Sequence, residues 1–245
     1  MIFIVDATNR LRFATDLLQM HRHRKAVFVD GLGWNIPVID HFEIDRYDRD
    51  DTLYLLAKHD ASGPVLASAR LLPTIQPHLM IDLFRSACSG HIPCGPSIWE
   101  VSRFCVSPAV KSRRERVLLF GEIICGIIET AAFHQVKQVT FSVNAASLPL
   151  TLACGWKAQR LGPTLPDGAD QLTAVVADID AEGLAKVRRR FRIGAAITQF
   201  PDATTRGQPA MDSVMDDAFD ERMDAVAEFG HQFVAPLAAN QFSPA

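Results

Sequence analysis

Three charges stand inside stretches that read as buried β-strands: Arg70 within residues 65–72, and Glu100 and Arg103 within Ile98–Val106. Runs of β-branched and apolar residues without a polar face belong to strands covered on both sides. A guanidinium or carboxylate there is costly unless a partner or a function holds it. The fold must therefore set these strands near its centre and bring other charges to them.

Further strands are expected at 2–5, 52–58, 136–143 and 172–177, with another candidate at 156–161. Leu11, Ala14, Leu18 and His21 recur at helical spacing and predict a helix over 10–28; similar patterns mark 114–133, 147–154 and 181–191. Prolines at 37, 64, 73, 77, 93, 96 and 108 punctuate these segments, and 74–97 reads as a long loop. A helix-rich start, a run of strands and then β-α-β-α-β imply an α+β fold, a mixed sheet flanked by helices.

Residues 1–196 are expected to form one domain and 197–245 a C-terminal extension. Seven carboxylates lie between Asp212 and Glu228 against the single Arg222. Met211, Met215, Phe219, Met223, Val226 and Phe229 recur at roughly helical spacing there, the pattern of an amphipathic helix with an acidic outer face.

A net charge of -3 argues against binding nucleic acid by broad electrostatics. The five cysteines form no C-x-x-C pair and no zinc-like spacing with histidine, so reduced thiols in a cytoplasmic protein and no metal are expected. The N-terminus lacks the features of a signal peptide, and the apolar stretch from Val117 to Phe133 is broken by Glu122 and Glu129, which suits a core helix better than a membrane span.

Taken in order, Arg24, Phe28, Trp34, Asp45, Asp48, Arg70, Phe84, Glu100 and Arg103 form a constellation set in the phrases RKAVFVDGLGW, EIDRYDRDD, SARLLPT and WEVSRFCV. In this order and spacing they resemble the signature of the acyl-homoserine-lactone (autoinducer) synthases. The resemblance covers about residues 1–191 and weakens after Val143 to the fragment ACGWKAQRLGP.

The resemblance implies an N-acetyltransferase-like fold whose two central strands splay to admit a thioester arm. It implies that S-adenosylmethionine supplies an amine, that an acylated carrier protein or acyl-coenzyme A supplies the acyl group, and that methylthioadenosine leaves when the lactone closes. No tightly bound cofactor is expected. Glu100, Arg103 and Arg70 would be the catalytic residues; Arg24, Phe28, Trp34, Asp45 and Asp48 would hold S-adenosylmethionine; Phe84, Ser102, Phe104, Cys105 and Thr140 would line the acyl and pantetheine cleft. By the same resemblance, a hydroxyl at the position of Thr140 favours 3-oxo acyl chains in some members.

Aminolysis of a thioester needs a base for the amine, donors for the oxyanion and a means of holding both substrates together. Glu100 is the preferred base, directly or through a water, because desolvation in an apolar strand raises a carboxyl pKa; the competing reading is a salt bridge to Arg103 or Arg70. Arg70 either organises a substrate carboxylate or pairs with an aspartate of the acidic segment. Glu100 and Arg103 would face opposite sides of one strand unless a bulge intervenes, and a splayed strand would free N–H groups around Ser102–Cys105 as oxyanion donors. Asp45 and Asp48 would face a cation or else lie in a solvated loop; Phe28 and Trp34 would stack on substrate or else pack in the core.

The positive run from His21 to Lys25, the group Lys111, Arg113, Arg114 and Arg116, and Lys186, Arg188, Arg189, Arg190 and Arg192 are either solvated faces or docking sites for an acidic carrier protein. Two other functions compete: a simple acetyl- or acyl-coenzyme A-dependent N-acyltransferase, and a non-catalytic carrier-binding module. The first is disfavoured because residues 110–117 hold no glycine-rich phosphate loop. The second is disfavoured because an idle site has no need of costly polar groups.

Overall fold

The computed structural model describes residues 1–167 and 170–200. The chain opens with strand β1 (Ile2–Val5), then helix α1 (Ala14–Arg24), which widens into a π-helical turn over Lys25–Gly31. A small hairpin, β2 (Val38–Ile39) and β3 (Phe42–Glu43), precedes β4 (Leu53–Ala57) and β5 (Ala67–Pro73). The single turn α2 (Leu79–Asp82) and a 3-10 turn lead to the long β6 (Ile98–Val106). There follow α3 (Arg113–Phe133), β7 (Gln138–Asn144), α4 (Leu148–Ala153), β8 (Ala158–Arg160), β9 (Leu165–Asp167), β10 (Asp170–Asp178), α5 (Ala181–Phe191) and β11 (Thr198–Gln199).

One mixed sheet organises the molecule, in the order β11-β1-β4-β5-β6-β7-β10-β8, with β9 also on β10. Among the described residues only β1 with β11 and β6 with β7 run parallel. The parallel β6–β7 pair follows from the crossover through α3, which returns the chain in the same direction. Pairing stops early: Ile98, Trp99 and Glu100 face Gln138, Val139 and Thr140, and beyond that point the two strands have no common register. On its other side β6 keeps β5 as partner to Val106, with one irregularity: Ser68 faces Cys105 and Arg70 faces Ser102, so two residues of β6 oppose the lone Ala69. This is a β-bulge, the feature that the family resemblance led one to expect between Glu100 and Arg103. The splayed mixed sheet flanked by helices is the N-acetyltransferase-like arrangement.

The main core lies between one sheet face and α3 with α5, where Leu55, Leu71, Val101, Val139 and Val175 meet Ile123, Ile127 and Phe191. α3 is apolar on nearly all sides because it is wedged between the sheet and α5. On the opposite face α1 covers β1 and β4 through Met20 packed with Phe3, Tyr54 and Leu56. The α2 segment covers the β6–β7–β10 side through Leu79, Met80 and Phe84.

Three expectations change, and a fourth falls where the structure gives no description. The first helix begins at Ala14, not residue 10, because residues 7–13 form turns. The loop expected over 74–97 contains α2 and the 3-10 turn. The boundary drawn at 196/197 falls inside the domain: Thr198 and Gln199 pair with Ile2 and Phe3, and Glu129 on α3 accepts from the N–H groups of Ile197 and Thr198 at 3.1 and 3.0 Å. The acidic amphipathic helix expected around 211–229 lies outside the described residues.

Gly121 of α3 shows how closely this core is set, since a Cβ there would stand 2.2 Å from the Phe191 ring. Gly121→Ala gains about 1 kcal/mol in helix propensity but overpacks at a typical cost of about 1–3 kcal/mol. The steric term wins, and urea denaturation is expected to show a less stable protein.

Candidate active site

The site grows from the bulge and the strand fork. Arg103 occupies the left-handed region at φ 53, a conformation costly for a residue with a Cβ and kept only where surroundings over-determine it. Its guanidinium supplies that restraint, with Nη2 donating to Glu43 Oε1 at 3.0 Å and to Asp45 Oδ2 at 2.7 Å. The bulge thus returns Arg103 to the face that carries Arg70, whose Nε donates to Ser102 Oγ at 3.0 Å.

Around these residues six charges close into one buried network. Arg24 donates from Nε to Glu43 and grips both oxygens of Asp48 at 2.9 Å. Arg70 grips Asp45 at 2.6 and 3.0 Å and lies 3.0 Å from Asp48. Tyr54 Oη adds a donor to Asp48 at 2.9 Å. Arg24, Arg70 and Glu43 are all 0% exposed. Three guanidinium groups against three carboxylates make the set formally neutral, which is what allows it to be buried. Burial alone would raise the carboxyl pKa values, but Arg103 and Arg24 outweigh it at Glu43, Arg70 and Arg103 at Asp45, and Arg24 and Arg70 at Asp48, so all three lie below the ordinary range.

Asp45 and Asp48 are therefore not a solvated loop, and Arg70 takes the aspartate-pairing role. Neither Arg24 nor His21 belongs to a docking surface: Arg24 is fully buried, and His21 Nδ1 meets the Glu43 carbonyl at 2.8 Å. Phe28 and Trp34 stack on each other, centroids 4.9 Å apart and planes 13° from parallel, with the Arg103 guanidinium 5.8 Å from the Phe28 centroid. The π-helical turn shapes this corner, its looser winding leaving the Phe28 carbonyl to accept from Trp34 N–H at 2.9 Å while Gly33 takes φ 70.

Glu100 stands where β6 and β7 part, and its surroundings are the reverse. It is 1% exposed. Oε1 accepts from the Met80 N–H at 2.9 Å, while Oε2 has no partner among the described residues. Neither Arg70 nor Arg103 forms a salt bridge with it, so the competing structural reading fails. Desolvation, only partly offset by Arg70 and the N–H groups of Leu79 and Met80, pushes its pKa up to about 8. Its register partner Thr140 is also fully buried with an unpartnered hydroxyl.

From this fork a cleft of about 720 Å³, open mouth included, runs between the strands. Phe84, Ser102, Arg103 and Phe104 line it beside Glu100, and Phe120, Ile124, Phe141 and Trp156 form apolar walls. Phe84 is thus both cleft wall and loop anchor. Cys105 and Thr140 are corrections, since neither lines the cleft: Thr140 is buried in β7 beside Glu100, and Cys105 packs with Phe28, Trp34 and Ile36, where burial pushes its thiol up to about 12.

The basic groups divide. Lys111, Arg113 and Arg114 are exposed at the start of α3, and Arg189 is exposed on α5. Arg188 instead ties α5 to α3 by donating to Glu129 Oε1 at 2.7 Å.

Sequence reasoning passed over Glu43 although EIDRYDRDD contains it. The signal was a count: three arginines bound for the interior need three carboxylates, and Asp45 and Asp48 supply two. Met80, which acts through its backbone, left no such signal.

A strand fork with a buried, unpartnered carboxyl oxygen beside an apolar cleft is an arrangement suited to acyl transfer. A family model described as autoinducer synthase matches residues 8–187. The acyl-homoserine-lactone synthase of Ralstonia nicotianae is 34% identical over 186 residues, 74% of this chain and 90% of its own length. That of Pseudomonas aeruginosa is 30% identical over 186 residues, 73% of this chain and 90% of its own. Among solved structures, the CoA-dependent acyl-homoserine lactone synthase BjaI, with SAM and isopentyl-CoA, aligns at TM-score 0.74 and 27% identity over 91% of this chain and 98% of that one. Another CoA-dependent acyl-homoserine lactone synthase, MesI, aligns at TM-score 0.72 and 28% identity over 83% and 100%. The chain belongs to the autoinducer synthase family, enzymes that make acyl-homoserine lactones.

Removing one carboxylate from the network leaves three guanidinium groups buried against two carboxylates, one positive charge uncompensated. Glu43→Gln is expected to cost about 3–5 kcal/mol at neutral pH. Because the folded-state pKa of Glu43 is depressed, its contribution is present above the unfolded value and lost as pH falls through the folded one. The gap between parent and variant in chemical denaturation should therefore narrow below about pH 4.

Proposed function

We propose that the cleft joins an acyl group from a thioester to the amine of S-adenosylmethionine and then closes the lactone. Glu100 takes a proton from the ammonium, the amine nitrogen attacks the thioester carbonyl carbon, and the carbon–sulfur bond of the thioester breaks to release the thiol, which regains a proton. The methionyl carboxylate then attacks the carbon next to the sulfonium, and methylthioadenosine leaves. The unpartnered Glu100 Oε2 at the strand fork carries this reading. A pKa near 8 suits a base that must be refilled and emptied near neutral pH.

The amine donor belongs on the network side of the fork, against Phe28, Trp34 and the Asp45–Asp48 segment. Arg24 and Arg70 act there by holding the carboxylates in place, and Arg103 by anchoring the bulge. The acyl chain belongs in the apolar cleft, with Glu100 at its head and Phe120, Ile124, Phe141 and Trp156 as its walls. Backbone N–H groups of residues 102–105, on the edge that has left β7, are the oxyanion donors. Lys111, Arg113, Arg114 and Arg189 form the docking face for the donor's phosphates or for an acidic carrier protein, and coenzyme A is the donor named for BjaI and MesI. No helix among the described residues is long and apolar enough to cross a membrane, in keeping with synthesis in the cytoplasm.

The test is incubation with S-adenosylmethionine and a panel of acyl-carrier and acyl-coenzyme A thioesters, read by mass spectrometry. Methylthioadenosine and an acyl-homoserine lactone are expected together; free thiol without methylthioadenosine would instead identify a simple N-acyltransferase. Glu100→Gln should lower kcat by about 10²–10⁴-fold while calorimetry still detects S-adenosylmethionine binding. Unchanged turnover would remove Glu100 as base.

A further inference from the structure

The segment that carries Asp45 and Asp48 also grips the turn that holds Glu100, at both ends of that turn. At one end Arg49 Nη1 donates to the Pro77 carbonyl at 2.6 Å. At the other, Tyr47 Oη and Arg46 Nη2 each donate to Asp82 Oδ2 at 2.9 Å. Between these anchors lies Met80, whose N–H donates to Glu100 Oε1. The Asp82 N–H closes the same turn onto the His78 carbonyl at 3.1 Å.

Tyr47 links the two sides most directly. It is 3% exposed, its own N–H donates to Asp45 Oδ1 at 2.8 Å, and the Arg70 guanidinium lies 5.7 Å from its ring centroid. One end of the residue is thus fixed in the charge network and the other on the base-bearing turn. Burial pushes its phenol up to about 12, so the hydroxyl remains a donor throughout the working range. The neighbouring Arg46–Asp82 pair has a largely exposed arginine and supplies little restraint by itself.

We propose that Tyr47, with Asp82 and Arg49, forms a positioning bridge that aims Glu100 at the amine site, so that the order of the amine-donor loop sets the orientation of the base. The inference rests on the reading of Glu100 as the base. None of the three residues touches the reacting atoms; each acts through the turn at Met80. Substrate seated against Asp45 and Asp48 would tighten the loop and, through Tyr47, the base.

Tyr47→Phe tests this without altering any charge near the base. The charged and titratable groups that act on Glu100 are Arg70 from β5, Asp82 from α2 and Cys88 after the 3-10 turn, and all three remain. In the full chain at saturating thioester, kcat should fall about tenfold and the KM for S-adenosylmethionine should change less than about twofold. The acid limb of kcat against pH should move upward, because a looser turn withdraws the N–H that favours the Glu100 carboxylate. Arg49→Gln, at the more exposed anchor, should act in the same direction and serves if the Phe variant folds poorly. A folded variant with an unmoved kcat or an unmoved pH limb overturns the bridge, as does a rise in KM alone. A parent enzyme that makes no lactone overturns instead the reading of the site on which the bridge depends.

Discussion

The burial of three guanidinium groups against three carboxylates is the constraint on which the rest of the site depends. Each ion alone would cost several kcal/mol in the interior, so the loop carrying Glu43, Asp45 and Asp48 is held to the sheet by mutual charge neutralisation together with the buried ring of Tyr47. The same contacts stabilise the left-handed backbone at Arg103. That residue lies in the bulge of β6, beyond the point where β6 leaves β7. The network therefore supports both the loop that would meet the amine donor and the strand geometry that opens the acyl cleft.

Two glutamates show how environment divides the labour. Glu43 and Glu100 are equally buried, yet Glu43 is held ionised by Arg24 and Arg103 while Glu100, with backbone donors on one oxygen and nothing on the other, is pushed up to about 8. A carboxylate saturated by guanidinium groups cannot serve as a base near neutral pH; one at the head of an apolar cleft can. Such divergent environments are the reason Glu100, and not Glu43, is the one proposed to exchange protons.

Much of this was legible in the residues. Arg70 and Glu100 announced themselves as charges in apolar strands, the bulge between Glu100 and Arg103 was expected from the family resemblance while their spacing alone left it open, and the central strands fell where their apolar runs placed them. What was not legible depended on contacts between distant segments. Whether Asp45 and Asp48 faced solvent or arginine turned on Arg24, Arg70 and Arg103 arriving from three separate elements. Cys105 was misplaced because the bulge, whose position cannot be read to the residue, decides which side chains face the cleft. The role of Met80 is carried by its backbone N–H, which every residue but proline possesses, and so no side-chain pattern could reveal it.

A crystal structure with S-adenosylmethionine and a non-reactive acyl-thioester analogue bound together tests the central claim most directly. The amine is expected within about 3 Å of Glu100 Oε2, or linked to it by one water, with the thioester threaded between β6 and β7 and the Asp45–Arg70 and Asp48–Arg24 pairs intact. A thioester bound outside the strand fork, or an amine held remote from Glu100, would contradict the account.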